Sequence, residues 1–182
     1  MDSIDSAFDL MKNHKCKYPI ILNMESDFNP GGGVRTGKGN AQEESLFKHT
    51  NYHKGFHHNI KSHRYSGVIY PFRETTAVYT YPVSVIKNSS YEMYRFSNGK
   101  FPKLGFIAVA GIRQPILHNN NNKFNDTDEK LFHLKVEQIL QSGIMENNNH
   151  DSIVLGAIGC GAFNGPAKQF AEMFAEHIPR LI

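Results

Sequence analysis

Apolar residues along the chain fall in short runs that are separated by polar and glycine-rich segments. Five of these runs predict β-strands, at residues 19–23, 67–72, 83–86, 106–110 and 152–157. The runs IILN, FIAVA and IVLGA are continuous rather than alternating, which is typical of strands that are covered on both faces. We therefore expect a sheet that is enclosed between layers of helices.

Four segments carry the periodicity and the end signals of helices, at residues 6–14, 41 to about 53, 127–141 and 167–177. Asp126 and Glu129 have the spacing of a capping box, and Gly143 is the expected stop of the same helix. Pro166 is expected in the first turn of the last helix, where its missing N–H is harmless. One face of that helix predicts core positions, at Phe170, Met173, Phe174 and His177.

The order of these elements predicts a three-layer α/β fold. In such folds, ligands bind beyond the carboxyl ends of strands, where loops open into helices. Two glycine-rich segments occupy this position. We call them the first glycine loop (residues 23–44) and the second glycine loop (residues 155–166).

Length and composition limit the class of protein. The chain has 182 residues and a mass of 20.6 kDa, so we expect residues 1–182 to form one domain. Hydrophobic residues make up 40%, which excludes wholesale disorder. The net charge of +3 is a mild basic bias that suits a polyanionic partner without requiring one.

Cysteine usage and hydropathy predict an intracellular protein. Cys16 and Cys160 are too few for a disulfide framework or a zinc-finger set. Residues 1–11 are acidic and interrupted by polar positions, unlike a signal peptide. No run approaches the ~18 apolar residues of a membrane span. We therefore expect a cytoplasmic or nuclear monomer without membrane association.

The first glycine loop contains three consecutive glycines, Gly31, Gly32 and Gly33. Such a run allows the backbone to approach a ligand closely, and its N–H groups can bind phosphate oxygens. Residues 32–38 match the P-loop pattern G-x-x-x-x-G-K. Gly39, however, stands where the magnesium-binding Ser or Thr of a P-loop belongs, so a nucleoside triphosphatase is disfavoured.

The same loop ends in Gln42, Glu43 and Glu44. Asn40 and Glu43 can cap a helix reciprocally, and this role and a ligand role for Glu43 are both open. Glu44 points about 100° further around the helix and is not expected to cap it. Glycines followed by carboxylates fit a ligand with both a phosphate and a glycosidic part. Adjacent glutamates are not the facing pair of ordinary glycosidases, so one glutamate would act first as acid and then as base.

The second glycine loop places Gly159, Gly161 and Gly165 around Phe163. The free N–H groups of the helix that follows favour a diphosphate. Phe163 is off the core periodicity, so we favour a ring that faces the ligand over a buried anchor. Cys160 has no base nearby in the sequence and is interpreted as a small space-filling residue.

These motifs resemble the macrodomain-type poly(ADP-ribose) glycohydrolases, with the microbial branch as the best match. The resemblance rests on PGGG, a spacer of eight residues between GGG and QEE, and the later sequence VLGAIGCGAFNGP. It implies a macrodomain-like fold with a central mixed sheet flanked by helices. The chain departs from the family at residues 110–115, which read AGIRQP in place of an apolar-Pro-Asn ending.

The resemblance also implies a function and a site. The protein would hydrolyse ribose–ribose O-glycosidic bonds of poly(ADP-ribose) on modified proteins and release ADP-ribose, with no metal and no cofactor. Glu44 would act as acid and then base, with Glu43 and Asn23 on ribose hydroxyls. Phe163 would position the terminal ribose. The remaining implied ADP-ribose contacts are Gly31, Gly32, Gly33, Val34, Gln42, Gly159, Cys160, Gly161 and Ala162.

Two alternatives remain open at this stage. One is a mono-ADP-ribosyl hydrolase that acts on protein or nucleic acid. The other is a non-catalytic ADP-ribose reader, which is disfavoured because a reader has little use for the carboxylates of Glu43 and Glu44 beside the scissile bond.

Two other clusters favour ordinary structural roles. His49, His53 and His57 recur at helical spacing, but Gly55 interrupts them and no paired carboxylate completes a metal site. The basic residues nearby are interpreted as a solvated face, at Lys48, Lys54, Lys61 and Arg64. An aromatic stretch is expected to pack across strands, at Tyr79, Tyr81, Tyr91, Tyr94 and Phe96.

Overall fold

The computed structural model describes residues 2–54, 70–87, 101–118, 123–144 and 149–180. Along the chain, the elements are α1 (Ser3–Asn13), β1 (Pro19–Glu25), α2 (Gln42–His49), β2 (Ala77–Ser84), β3 (Lys103–Ala110), β4 (Leu117–His118), β5 (Lys123–Phe124), α3 (Asp126–Ile144), β6 (Ser152–Val154) and α4 (Ala167–His177). Short 3₁₀ turns lie at Val34–Thr36 and Ile178–Arg180.

The main sheet is mixed and has the strand order β2-β3-β1-β6. β1 runs parallel to both β3 and β6, whereas β2 is antiparallel to β3. Parallel strands end at the same edge of a sheet, so the segments that follow β1, β3 and β6 emerge together. Glu25, the last residue of β1, pairs with Ala110, the last residue of β3. β4 and β5 form a separate two-stranded ribbon.

Each face of the sheet carries its own hydrophobic core. Alternate residues of β1 point to opposite faces, so Ile21 packs in one core and Ile20 in the other. The first core also contains Leu46 of α2, and the second contains Phe132 of α3 and Phe170 of α4. The predicted three-layer α/β fold, a mixed sheet between helices, is therefore confirmed.

The last helix has the predicted bounds, Ala167–His177, and all four residues of its predicted apolar face are buried. Pro166, which was expected in the first turn, is the N-cap that precedes this helix.

The start and the stop predicted for α3 are both wrong. Asn125 caps this helix, since its Oδ1 accepts the Asp128 N–H at 2.8 Å and its carbonyl accepts the Glu129 N–H at 2.9 Å. The helix also runs through Gly143 to Ile144.

The strand predicted at residues 83–86 is the end of a longer strand, β2, whose earlier part was concealed by alternating aromatic residues. Tyr79 and Tyr81 lie on this strand, and each ring packs edge-on to the His150 ring at 5.6 Å between centroids. The strand predicted at residues 67–72 lies outside the described residues up to position 69, and residues 70–72 are not a strand.

Several residues that the sequence singled out lie outside the described part of the chain, namely Gly55, His57, Lys61, Arg64, Tyr91, Tyr94 and Phe96. Within the described ranges, no three His, Cys, Asp or Glu side chains are grouped as metal ligands, and no helix is long and apolar enough to cross a membrane.

Candidate active site

A cavity of about 600 Å³ opens at the edge of the sheet where β1 and β3 end. This volume falls within the ~300–1,000 Å³ of small-molecule sites. The cavity brings together the predicted residues Gly32, Gln42, Glu43, Glu44, Gly159, Cys160, Gly161, Ala162 and Phe163. Sequence reasoning did not assign the other lining residues, which are Met24, Glu25, Ser26, Ala41, Gly111, Arg113 and Ala157.

Glu44 is held by two backbone N–H groups at the start of α2. Its Oε1 accepts the N–H of Gly33 at 2.9 Å, and its Oε2 accepts the N–H of Ala41 at 3.0 Å. The reciprocal cap of Asn40 and Glu43, which the sequence left open, is not formed, and the expectation that Glu44 does not cap the helix is wrong. The helix begins after Ala41, one residue later than predicted, so Glu44 takes the third helical position.

Two glycines leave room for the Glu44 carboxylate. Gly32 and Gly39 have φ values of +52° and +90°, in the left-handed region that favours glycine. A Cβ atom at Gly39 would lie 2.5 Å from Glu44 Oε1, and one at Gly32 would overlap the same oxygen. The two glycines therefore let the backbone pass close to the Glu44 carboxylate.

The N–H groups of residues 31–34 are all used within the chain. Their acceptors are Glu25 Oε1, Asn29 O, Glu44 Oε1 and Gly31 O, at 2.9–3.3 Å. The structure therefore does not support the prediction that these groups bind phosphate, because two of them donate to the carboxylates of Glu25 and Glu44 and two to backbone carbonyls. Of the contacts implied in this turn, Gly32 lines the cavity, while Gly31, Gly33 and Val34 do not.

Glu43 lies beside Glu44 and is 4% exposed. Its Oε2 accepts the N–H of Ser26 at 2.8 Å, which ties the start of α2 to the segment that follows β1. Burial raises the pKa of Glu43, and the neighbouring Glu44 charge raises it further.

Glu25 is a third carboxyl group in the cavity, and sequence reasoning missed it. It is 2% exposed, and its Oε1 accepts a hydrogen bond from the Tyr70 hydroxyl at 2.6 Å. Burial raises the pKa of Glu25 well above its ordinary value. The available signal was an acidic residue at the end of an otherwise apolar strand, where the carboxyl ends of parallel strands build ligand sites.

The side chains of Asn23 and Gln42 form hydrogen bonds to neighbouring groups of the protein. Asn23 is fully buried and its Nδ2 donates to Glu25, so the implied contact of Asn23 with a ribose hydroxyl is not supported. The Gln42 amide is also engaged, because its Oε1 accepts the Met24 N–H at 2.9 Å and its Nε2 donates to the Leu22 carbonyl at 2.6 Å. Gln42 thus anchors α2 to the end of β1.

The second glycine loop differs from the first because some of its N–H groups are free. Gly159 has a φ of +75°, and its carbonyl accepts the Gly165 N–H at 2.8 Å, which closes the loop. Among the described residues, the N–H groups of Gly161, Ala162 and Phe163 find no acceptor. Successive free N–H groups in a loop form an anion-binding concavity.

The start of α4 plays no part in this concavity. Its first turn does not line the cavity, so the structure does not support the predicted contact of these helix N–H groups with a diphosphate. Cys160 is half-buried, with its thiol 3.7 Å from the Ile158 carbonyl, and burial raises the pKa of that thiol. A neutral thiol fits a space-filling role.

Arg113 supplies a positive charge between the two glycine loops. Its guanidinium carbon lies 4.9 Å from the centroid of the Phe163 ring and 5.2 Å from that of Phe28, within cation–π range. The same group pairs with Asp27. The lining of the cavity therefore combines three carboxyl groups with free N–H groups, a cation and an aromatic ring. This combination suits a ligand that joins a polyhydroxyl part to a phosphate part.

Residues 1–88 match the family model described as the catalytic domain of microbial-type PARG, poly(ADP-ribose) glycohydrolase. The family resemblance predicted from the motifs is thus confirmed. No curated protein matches the sequence.

Solved structures of two bacterial poly(ADP-ribose) glycohydrolases share the fold. The enzyme from Thermomonospora curvata, bound to the inhibitor ADP-HPD, matches with a TM-score of 0.70 and 20% identity over 96% of this chain. The enzyme from Deinococcus radiodurans, in complex with ADP-ribose, matches with a TM-score of 0.69 and 19% identity over 97% of this chain. The predicted macrodomain-like fold is confirmed. This chain spans 63% of the first structure and 67% of the second.

Proposed function

We propose that this chain, whose first 88 residues match the catalytic domain of microbial-type PARG, hydrolyses ribose–ribose O-glycosidic bonds of poly(ADP-ribose) and releases ADP-ribose. One observation carries the proposal. The carboxylate of Glu44, fixed by two backbone N–H groups, lines the same cavity as the free N–H groups of the second glycine loop.

Glu44 acts as the acid and then as the base. A carboxylate has about four lone-pair sites, and the N–H groups of Gly33 and Ala41 use two of them, one on each oxygen. In the first half of the reaction, the carboxyl proton moves to the leaving ribose oxygen as the glycosidic C–O bond breaks. In the second half, the carboxylate takes a proton from the water that attacks the anomeric carbon. The residue thereby returns to its starting state.

Glu43 orients the sugar. It lies next to Glu44 on the cavity wall, and the Ser26 N–H fixes its carboxyl group. A carboxylate held in this way accepts hydrogen bonds from ribose hydroxyls and keeps the scissile bond against Glu44.

The diphosphate of the ligand lies on the second glycine loop. The N–H groups of Gly161, Ala162 and Phe163 supply donors, and the Arg113 guanidinium supplies charge. The half-buried Phe163 ring lines the cavity and packs against the terminal ribose. The carboxylates of the first glycine loop repel phosphate, which fixes the direction in which the ligand enters.

Product identification tests this function. The protein is incubated separately with poly(ADP-ribose) and with a protein that carries single ADP-ribosyl groups, and the products are separated by chromatography. Release of ADP-ribose from the polymer is the expected result. Release from the singly modified protein alone would make the chain a mono-ADP-ribosyl hydrolase. Binding of ADP-ribose without release from either substrate would make it a reader.

A further inference from the structure

The carboxyl groups of Glu25 and Glu43 meet beneath the cavity, one at the end of β1 and the other in the first turn of α2. Both side chains line the cavity and are almost fully buried, and the Ser26 N–H, next to Glu25 in the chain, holds Glu43 Oε2 at 2.8 Å. The two carboxyl groups are close enough for each to raise or lower the pKa of the other. Glu43 Oε1 is buried and has no hydrogen-bond donor among the described residues. Two facing, buried carboxylates repel each other strongly unless they hold a proton between them.

We propose that Glu25 and Glu43 share one proton, and that Glu25 is thereby a positioning residue that keeps the Glu43 carboxyl turned toward the ligand. This inference rests on the proposed function for its effect on turnover, but the shared proton itself does not.

The contacts around Glu25 hold it in place for this role. Its Oε1 accepts the Tyr70 hydroxyl at 2.6 Å and the Gly31 N–H at 3.3 Å, and its Oε2 is bound by the Asn23 amide. Both oxygens of Glu25 are therefore held by fixed donors, which orients its carboxyl group.

The electrostatic surroundings favour a shared proton. The titratable groups that face the pair are Glu44 from α2, Tyr70 from the segment before β2, and Tyr52 from the segment after α2. Among the described residues, no cationic side chain bonds to either carboxyl group. Burial raises the pKa of both acids, most strongly that of Glu25.

The shared proton lowers the negative charge that a phosphate-bearing ligand meets. With it, the carboxyl groups of Glu25, Glu43 and Glu44 carry one negative charge fewer than three free carboxylates would. When alkaline buffer removes the proton, the extra charge repels the diphosphate and the Glu43 carboxyl loses its internal partner. Affinity for ADP-ribose is therefore expected to fall by about tenfold when alkaline buffer removes this proton, the effect of one additional buried charge.

Glu25→Gln separates the shared proton from other roles of the residue. The amide keeps the shape of the side chain, offers Glu43 a permanent N–H donor and cannot titrate. The variant is expected to lose the decline of ADP-ribose affinity in alkaline buffer, because no shared proton remains to be removed. Glu25→Leu keeps the size but offers no donor, and it is expected to lose turnover at every pH.

Three measurements decide the matter. Infrared spectroscopy of the ligand-free protein at neutral pH should show the C=O band of a buried protonated carboxyl group, and Glu25→Gln should lack it. Calorimetry with ADP-ribose should give the two pH profiles described above. If Glu25→Gln fails to fold, Tyr70→Phe replaces it. The Tyr70 hydrogen bond lowers the pKa of Glu25, so its removal should move the alkaline decline to higher pH.

The outcomes distinguish this inference from the proposed function. An infrared band together with unchanged polymer would retain the shared proton and reject the glycohydrolase. Polymer cleavage without the band, or with the same alkaline decline in Glu25→Gln as in the wild type, would overturn the shared proton.

Discussion

Glu44 Oε1 accepts the backbone N–H of Gly33 at 2.9 Å, so the first glycine loop is bound to the carboxylate that it surrounds. This contact joins residues eleven positions apart in the chain. The glycines of this loop therefore place the Glu44 carboxylate, and the phosphate contacts that we propose belong to the second glycine loop.

Gly32→Ala tests that placement. A methyl group at Gly32 would overlap Glu44 Oε1, and φ is +52° there. Gly37→Ala is the matched control, because its φ is +68° and nothing lies within 4 Å of the added atom. Both variants should lose about 1–2 kcal/mol of unfolding free energy from the left-handed backbone. Gly32→Ala alone should also lower the rate of polymer cleavage by about a hundredfold, through the displaced carboxylate. Equal rates in the two variants would contradict this role of the loop.

Arg113 and Asp27 provide an opposing pair of variants. Asp27 pairs with the Arg113 guanidinium, which we propose binds the ligand diphosphate. The Asp27 carboxylate and the diphosphate therefore compete for this cation. Arg113→Ala should weaken ADP-ribose binding by about tenfold, and Asp27→Asn should strengthen it. Both side chains are partly exposed, so neither change should unfold the protein.

Calorimetry on both proteins measures the effect. Arg180→Ala removes an exposed ion pair with Glu176 and serves as the control. Weaker binding in Asp27→Asn would show that Asp27 helps to hold the ligand, and it would contradict a competition between Asp27 and the diphosphate for Arg113.

Lys135 predicts an unusual dependence of stability on pH. Its side chain is buried on α3 and donates to the Glu74 carbonyl, and burial lowers its pKa from 10.5 to about 8. Between these values the unfolded chain holds a proton that the folded protein has released. The free energy of unfolding should therefore rise as the pH increases from about 8 toward 10.

Chemical denaturation at a series of pH values measures this rise. Lys135→Met should remove it, whereas Lys168→Met should retain it because the Lys168 side chain is 90% exposed. A rise of the same size in Lys135→Met would assign it to another group.

The sequence predicted best what is decided locally. The bounds of α4 follow from a proline, an apolar face and a terminal histidine, all within one segment. The choice of cap for α2 could not be predicted in this way. Glu44 is selected over Glu43 by the Gly33 N–H, which the fold brings to it from outside the helix.

The two site residues that sequence analysis missed, Glu25 and Arg113, are both defined by contacts between distant segments of the chain. Glu25 is set apart by its contact with Glu43 across the β1–α2 connection, and Arg113 by its position between two rings from separate loops. Neither contact leaves a spacing signal in the sequence. The fold class was recoverable because continuous apolar strands reveal burial on both faces without reference to distant partners.

The Glu44→Gln variant tests directly whether Glu44 is the acid and the base of the reaction. Glutamine keeps the size of the side chain but cannot deliver or accept the proton, while the proposed diphosphate contacts belong to the second glycine loop. Glu172→Gln, a carboxylate on α4 that is 59% exposed, is the control. Polymer digestion and ADP-ribose calorimetry are measured on the same preparations. The account predicts that release of ADP-ribose falls by about a thousandfold in Glu44→Gln while ADP-ribose still binds. Release at the wild-type rate would contradict it and remove Glu44 from the mechanism.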